Sequence, residues 1–313
     1  MTTLRTIWDA RYASTAAPTN STRKQAEVVA LGMSEGLLLV RGTNDFEPGR
    51  VWADIARVHD PAYAEAVRTG LPRGRAEAQG FTWSPEFAEA VARIWHGQEV
   101  ASRLALSEGG FVFHPVSGAH HAGYAHGSAF CSLNFLAGAA LKMLNEGLVS
   151  TVGIIDLDAH QGNGTWEWVE HNARLAHFDI AGGSWGVASD LARAPYLIAD
   201  NAEEYWQHLR TLEAWLGLTK PGLVFFQAAM DCWERDSVGG IAGLDEMFLR
   251  ARDRFVLTEL IKRRTPVVIN LGGGYEEDSP RLHVETARVA AEVLGTRVSL
   301  GRSHHGGARP ESE

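Results

Sequence analysis

Short apolar segments that alternate with longer helix-like segments constrain the fold of this chain more than any other feature. Each apolar segment lacks a polar–apolar alternation and is rich in β-branched or aromatic residues, which is typical of strands buried on both faces. The predicted strands are 110–113, 151–155, 175–180, 223–228 and 266–271. The predicted helices are 85–99, 132–146, 202–216, 244–263 and 280–294. This alternation predicts βαβ units and an α/β fold with a parallel sheet covered on both faces.

The composition excludes several other classes of protein. The sequence has 29 Lys and Arg against 38 Asp and Glu, and the net charge of −9 argues against a general nucleic-acid binder. Only two cysteines are present, which excludes a disulfide-rich scaffold. No apolar stretch approaches the roughly 18 residues of a membrane span, and the first residues lack the apolar core of a secretory signal. We therefore expect a cytoplasmic protein that binds neither nucleic acid nor a membrane.

The chain is expected to fold largely as one domain. Its 313 residues would allow one large domain or two small ones, at roughly 100–200 residues each. However, the sequence contains neither a long linker nor a repeat. We predict one domain over residues 1–302 and a flexible tail over 303–313, where SHHGGARPESE is polar and aperiodic. Homo-oligomerisation is left open.

Polar side chains follow four of the predicted strands, at the points where these strands end. In chain order they are His120, His121, Asp156, Asp158, His160, Asn163, Asp231 and Tyr275. Open parallel sheets bind ligands beyond the carboxyl ends of their strands, so we expect these side chains to meet at one edge. Glycines cluster in the same segments, where they allow the backbone to approach a ligand closely.

Three of these residues form a candidate metal site. Asp158 and His160 are two positions apart, so in an extended segment their side chains point the same way. A carboxylate and an imidazole at this spacing can bind one ion, and Asp231 could supply a third ligand. Three nitrogen or oxygen ligands with an open position describe a catalytic zinc site, and iron(II) suits the same ligands. A lone Asp-x-His would more readily be an internal pair, but the other strand ends favour a metal.

The remaining polar residues are candidates for acid–base chemistry. His120 and His121 are expected to act as a general base and its partner. Asp156 could orient one of the two imidazoles through a hydrogen bond. Tyr275, which follows three glycines, could donate a hydrogen bond to a developing oxyanion.

Four motifs, in this order and spacing, resemble those of the histone deacetylase family, which includes bacterial acetylpolyamine amidohydrolases and acetoin-utilisation-type proteins. They are HPVSGAHHAG with AFCSLN, IIDLDAHQGNGT, AAMDCWERDSVGG and NLGGGY, and the match extends from about residue 58 to about residue 275. The resemblance implies an arginase/deacetylase-like fold, which is a single three-layer domain with a mostly parallel sheet of about eight strands. It also implies one catalytic divalent metal per chain, normally zinc.

The resemblance assigns roles to the metal-site and histidine residues. Asp158, His160 and Asp231 correspond to the zinc ligands of the family. His121 corresponds to the main general base, and His120 to its electrostatic or proton-donating partner.

Other positions of this sequence correspond to family residues that surround the metal site and the two histidines. Asp156 matches the carboxylate that binds the first histidine, and Asn163 stands where other members have Asp or Asn. Tyr275 matches the oxyanion-binding tyrosine. Family members also hold a structural potassium ion near the metal site, for which Asp179 and Ile180 stand where further ligands are expected.

The resemblance also covers the substrate channel, and the sequence departs from the family pattern at two places. Phe130 matches one aromatic wall of the acyl-lysine channel, and Trp185 is the candidate for the opposite wall. The backbone of Gly273 is placed among the substrate-binding groups. Gln161 replaces a histidine that is common beside the metal-binding histidine, at a position that is not a ligand. The usual HPE-like motif near the start is absent, and residues 17–25 read APTNSTRKQ instead.

The implied activity is hydrolysis of a linear amide bond. The expected substrate is an acylated amine, such as acetyl-lysine or an acetylated polyamine, and the products are a free amine and a carboxylate. One alternative is a non-catalytic module that binds an acetyl ligand, although every catalytic position is filled. The other is an arginase-like ureohydrolase, whose two-metal cluster needs carboxylates where this chain has Gln161, Gly162, Cys232 and Trp233.

Overall fold

Eight strands form one sheet in the computed structural model, which describes residues 2–13 and 20–303. The strands are β1 Leu4–Ile7, β2 Leu38–Arg41, β3 Phe111–Phe113, β4 Val152–Asp156, β5 Leu175–Ala181, β6 Tyr196–Ile198, β7 Leu223–Gln227 and β8 Val267–Asn270. They lie in the order β2-β1-β3-β8-β7-β4-β5-β6, and every pairing is parallel. The predicted α/β class with a parallel sheet of about eight strands is confirmed.

Helices flank the sheet. Those of the described residues are α1 Asn20–Ser34, α2 Pro48–Val58, α3 Pro61–Thr69, α4 Arg73–Ala76, α5 Pro85–Glu108, α6 Phe135–Asn145, α7 Asn163–Val169, α8 Ala202–Arg210, α9 Leu212–Thr219, α10 Glu246–Lys262 and α11 Ser279–Ser303. None of them combines the length and the apolar character that crossing a membrane requires. The predicted flexible tail, apart from Ser303, lies outside the described residues.

Alternate residues of the central strands enter two separate hydrophobic clusters. Phe226 and Ile269 belong to the cluster that contains residues of α1, α9, α10 and α11. Phe225 and Val268 belong to the cluster that contains residues of α2, α3, α5 and α6. Every position of these strands is therefore buried, which explains why they read as continuous apolar segments.

Three strands and several helix bounds differ from the sequence prediction. The helices predicted to end at residues 99 and 294 continue to Glu108 in α5 and to Ser303 in α11. β2 and β6 are short, partly exposed strands at the two edges of the sheet, and β1 carries Arg5 and Thr6, so none of the three reads as a long strand buried on both faces. The helix predicted over 202–216 is divided into α8 and α9 at Thr211. Its hydroxyl donates to the carbonyl of His208 at 2.7 Å, and such bonds compete with the helical backbone pattern.

The strand order brings the candidate site residues to neighbouring positions in the sheet. β3, β8, β7 and β4 are consecutive in the sheet, and they are the four strands that polar residues follow. Because parallel strands end at the same edge, residues that are far apart in sequence are brought to one place.

Candidate active site

The predicted ligand group Asp158, His160 and Asp231 comes together at this edge. Nδ1 of His160 lies 3.0 Å from Oδ1 of Asp158 and 3.0 Å from Oδ2 of Asp231. One potential ligand atom from each residue lies within 4.8 Å of the other two. Both carboxylates are buried. Three donors therefore converge on one point in a site shielded from water.

Backbone N–H groups hold the two carboxylates in place. Oδ2 of Asp158 accepts a hydrogen bond from the Gly273 amide at 2.8 Å, and Oδ1 of Asp231 accepts one from the Ala159 amide at 3.0 Å. A Cβ atom at Gly273 would collide with the carboxylate of Asp231, so only glycine fits there. The structure thus places the Gly273 amide against a candidate ligand.

The electrostatics of the group favour a bound cation. Burial and the neighbouring Asp158 raise the pKa of Asp231 to about 7. Burial alone would lower the pKa of His160, but its bonds to the two carboxylates raise it to about 11. Two buried carboxylates this close repel each other, and a positive charge between them removes that cost. The nitrogen and oxygen donor set fits one divalent metal ion.

The tandem histidines are buried and differ in their hydrogen-bond partners. Nδ1 of His120 lies 2.9 Å from Oδ2 of Asp156, whereas Nδ1 of His121 lies 2.6 Å from Oδ1 of Asn163. Both oxygens accept, so each Nδ1 carries a proton. Nε2 of a neutral imidazole in this tautomer has a free lone pair. The predicted pairing of Asp156 with the first histidine is therefore present in the geometry, and Asn163 is the corresponding partner of His121.

These partners separate the pKa values of the two rings. Burial lowers the pKa of His120, but the charges of Asp156 and Asp158 outweigh this effect and raise it to about 9. Burial, helped by the neighbouring His120, lowers the pKa of His121 to about 3. At neutral pH one ring is cationic and the other is neutral, which is the division of charge that an acid and a base need.

Phe130 and Tyr275 line the same small cavity as the ligand group. Together with His120, Asp158 and Gly273, they border a cavity of about 250 Å³, which includes its opening to solvent. The centroids of the Phe130 and Tyr275 rings are 6.2 Å apart. Burial raises the pKa of Tyr275 far above its usual range. The phenol therefore keeps its proton and can act as a hydrogen-bond donor.

Trp185 lies beside the histidines. Its ring stacks on His121 with centroids 4.3 Å apart and planes 22° apart, and it meets the ring of His160 edge-on at 5.3 Å. It remains 41% exposed. The structure thus places Trp185 at the solvent-facing side of the site, and its role as a channel wall stays a prediction.

A second group of potential ligands adjoins the first. Asp156, His177 and Asp179 each offer an atom within 4.8 Å of the others, and all three are buried. Burial and the charge of Asp156 raise the pKa of Asp179 well above its usual range. His177 was not among the residues named from the sequence. The potassium ion predicted for this neighbourhood stays a prediction.

Two charged residues that were not predicted from the sequence bind the backbone of residues 272–275. The buried Nζ of Lys24 donates to the carbonyls of Gly272 and Gly274 at 2.9 and 3.0 Å. Oδ2 of Asp236 accepts from the Tyr275 amide at 2.8 Å. A signal for Lys24 existed, because it lies four positions before the buried Val28 on helix α1 and hence on its apolar face.

Replacing Lys24 tests its importance for Tyr275. We expect Lys24→Met to lower kcat about tenfold, because Tyr275 is the predicted oxyanion donor and a small displacement of such a group is costly. Lys24→Arg, which can donate to both carbonyls, should retain most of the activity. Lys142→Met is the matched control, since this lysine forms ion pairs with Asp54 and Glu99 outside the site. Equal kinetics for Lys24→Met and the unmodified enzyme would contradict the expectation.

Comparisons with known proteins agree with the geometry. The sequence model of the histone deacetylase domain matches residues 17–183. An uncharacterized protein of Picosynechococcus sp. is 32% identical over 238 residues, which are 74% of this chain and 77% of that protein. Histone deacetylase 2 of Arabidopsis thaliana is 26% identical over 243 residues, and the match covers 73% of this chain and 62% of that protein.

A solved structure shows the same fold. The crystal structure of acetylpolyamine aminohydrolase from Burkholderia pseudomallei matches with a TM-score of 0.76, over 93% of this chain and 99% of that one. At 17% identity this likeness concerns the fold alone. The matched domain covers more than half of the chain and contains the histidine pair and two of the candidate ligands. This chain therefore belongs to the histone deacetylase family.

Proposed function

We propose that this protein is a zinc-dependent deacetylase that hydrolyses the amide bond of an acylated amine, such as acetyl-lysine or an acetylated polyamine. One observation carries the proposal. A single cavity is bordered by Asp158 of the ligand group, by His120 and by Tyr275. A metal site, an acid–base pair and an oxyanion donor are the groups that amide hydrolysis requires. Membership of the deacetylase family supports this reaction class.

Asp158, His160 and Asp231 would hold the metal. When bound, a divalent ion there supplies Lewis-acid polarisation of the amide carbonyl and lowers the pKa of a water molecule. Three protein ligands leave a position open for substrate and water. The same donor set accommodates iron(II), and zinc is proposed as the first choice.

His121 is proposed as the general base. Its Nδ1–H donates to Asn163, so Nε2 is free to accept a proton from water. Burial and the cationic His120 disfavour a resting imidazolium more strongly than the bond to Asn163 favours it, and the base is therefore ready to accept a proton at neutral pH. His120, held by Asp156, is proposed to stabilise negative charge and to assist protonation of the leaving amine.

Tyr275 is proposed to donate its phenol proton in a hydrogen bond to the oxyanion of the tetrahedral intermediate. Its backbone is fixed by Asp236. Phe130 and Trp185 are proposed as channel walls. Collapse of the intermediate releases the amine and the carboxylate, which is acetate for an acetylated substrate.

The two alternative functions have less support. An arginase-like cluster would need further carboxylates beside the first ligand group. Instead, the side chain of Gln161 bonds to residues 184–187, and Sγ of Cys232 lies 2.9 Å from a guanidinium nitrogen of Arg252. A non-catalytic binding module would not need a general base and an oxyanion donor, the roles that we propose for His121 and Tyr275.

Hydrolysis by metal-loaded protein tests the proposal. We expect the zinc-loaded enzyme to release amine from acetyl-lysine peptides or acetylated polyamines, and a chelator to abolish the reaction until zinc is restored. The panel should include both substrate classes and arginine, with metal stoichiometry measured in parallel. No hydrolysis of any acylated amine would refute a deacetylase, and urea release with two metals per chain would favour the arginase-like alternative.

A further inference from the structure

Gln161 is a buried glutamine whose side chain reaches a neighbouring loop. It directly follows the candidate ligand His160 and is 1% exposed. Its Oε1 accepts hydrogen bonds from the backbone amides of Trp185 at 2.7 Å and Val187 at 3.3 Å. Its Nε2 donates to the carbonyl of Val187 at 3.4 Å. The side-chain amide thus binds both sides of Trp185 through the backbone.

The loop that Gln161 binds leaves the carboxyl end of β5. It is joined to the ligand segment by a bridge between His160 and Gly183 and by a bond of 2.9 Å from the Gly182 amide to the carbonyl of Ala159. Beyond Gly183, the amide of Gly186 finds its partner within the loop itself, in the hydroxyl of Ser184. Glycines at 182, 183 and 186 give this loop little stiffness of its own. Gln161 therefore supplies the side-chain anchor for the tip that carries Trp185.

The position of Trp185 matters because its indole covers His121. The two rings are stacked at 4.3 Å, while Asn163 holds His121 from Nδ1. The stacked indole restricts rotation of the imidazole and keeps water from one of its faces. A tryptophan that is 41% exposed on a glycine-containing loop would not hold this position by burial alone.

We propose that Gln161 is a positioning residue, which fixes Trp185 over His121 and so keeps the proposed general base oriented at the mouth of the site. This inference rests on the proposed deacetylase function. It gives a role to a position where the sequence departs from the common family pattern. Gln161 itself would touch neither substrate nor metal.

A double-mutant cycle with Trp185 tests the inference. Gln161→Met keeps the length of the side chain and removes both the acceptor and the donor. We expect it to lower kcat/KM by about tenfold or more, as for a misplaced catalytic group, with unchanged zinc content. Trp185→Ala should cost a similar factor. In the Trp185→Ala background, Gln161→Met should change kcat/KM less than about twofold, because coupled residues are not additive.

Further variants separate positioning from a general structural effect. Gln161→Glu keeps an acceptor for the amides of Trp185 and Val187 and should recover most of the lost activity. Gln207→Met, on helix α8, is the matched control, since the amide of this exposed glutamine donates to the exposed Glu203, and it should behave as the unmodified enzyme.

Three results would overturn the inference. They are full activity of Trp185→Ala, an equal loss from Gln161→Met in both backgrounds, and loss of zinc in Gln161→Met, which would mean that Gln161 acts on His160. An activity-independent measurement follows the indole itself. The fluorescence of Trp185 is obtained as the difference between proteins with and without Trp185→Phe. Acrylamide should quench this fluorescence more strongly in Gln161→Met than in the unmodified protein, and no increase would refute the anchor. Inactivity of the unmodified enzyme on every acylated amine would instead refute the proposed function.

Discussion

Asp231→Ala is expected to lose the bound metal and to reduce hydrolysis at least a thousandfold. The residue supplies one of three converging donor atoms, and the remaining pair Asp158 and His160 lies side by side on one segment. Two ligands of the same segment cannot enclose an ion from opposite sides. The chemistry that depends on a polarised carbonyl and an acidic water is lost with the metal.

Metal analysis and thermal unfolding check this expectation. Zinc at 100 times its Kd should stabilise the unmodified protein by about 2.7 kcal/mol, whereas the variant should show no such gain. Asp231→Asn keeps an acceptor for the Ala159 amide and relieves the repulsion with Asp158. Its metal-free form should therefore be at least as stable as the metal-free parent. Asp200→Asn, an exposed position, is the control. Full zinc occupancy in Asp231→Ala would remove this residue from the ligand set.

Tyr275→Phe is expected to lower kcat about 10²-fold to 10³-fold while zinc content stays unchanged. The substitution removes only the phenol oxygen and leaves the ring beside Phe130. Loss of one oxyanion donor in a water-poor site has an effect of this size. Because the hydrogen bond strengthens as charge develops on the oxygen, the loss should fall on kcat more than on KM.

A substitution of the neighbouring Phe130 should have a different effect from Tyr275→Phe. Phe130→Leu alters the channel wall without removing a donor, so its loss should fall mainly on KM. Lys24→Met in the Tyr275→Phe background should add little, since the proposed effect of Lys24 passes through the segment that carries the phenol. Unchanged kcat in Tyr275→Phe would rule out its oxyanion role.

The sequence predicted the parts of the fold that are governed by local pattern. Strands β4 and β7 are buried on both faces, so their apolar residues stand next to one another in the chain and can be recognised there. Edge strands such as β6 are partly exposed, and their apolar runs are too short to be recognised as strands. The prediction of one helix over 202–216 was wrong at Thr211, where the hydroxyl binds the carbonyl of His208 and so competes with the helical backbone pattern.

The candidate site could be anticipated because its residues follow strands. Once the strands are parallel, their carboxyl ends share an edge, so Asp158, His121, Asp231 and Tyr275 are expected along that edge. The order β3-β8-β7-β4, which makes the four strands neighbours, is a property of the assembled sheet.

By itself, the sequence determined the α/β class, the family and the residue types that carry the chemistry, since these depend on pattern and motif. Only the tertiary structure decided how those residues are held. Lys24 meets the glycine segment from 248 positions away in the chain, and Gln161 bonds to a loop that departs from the next strand. Such contacts join backbone groups to side chains across different elements. The position of a backbone amide in space depends on how distant elements pack, and a local pattern of residues does not predict it.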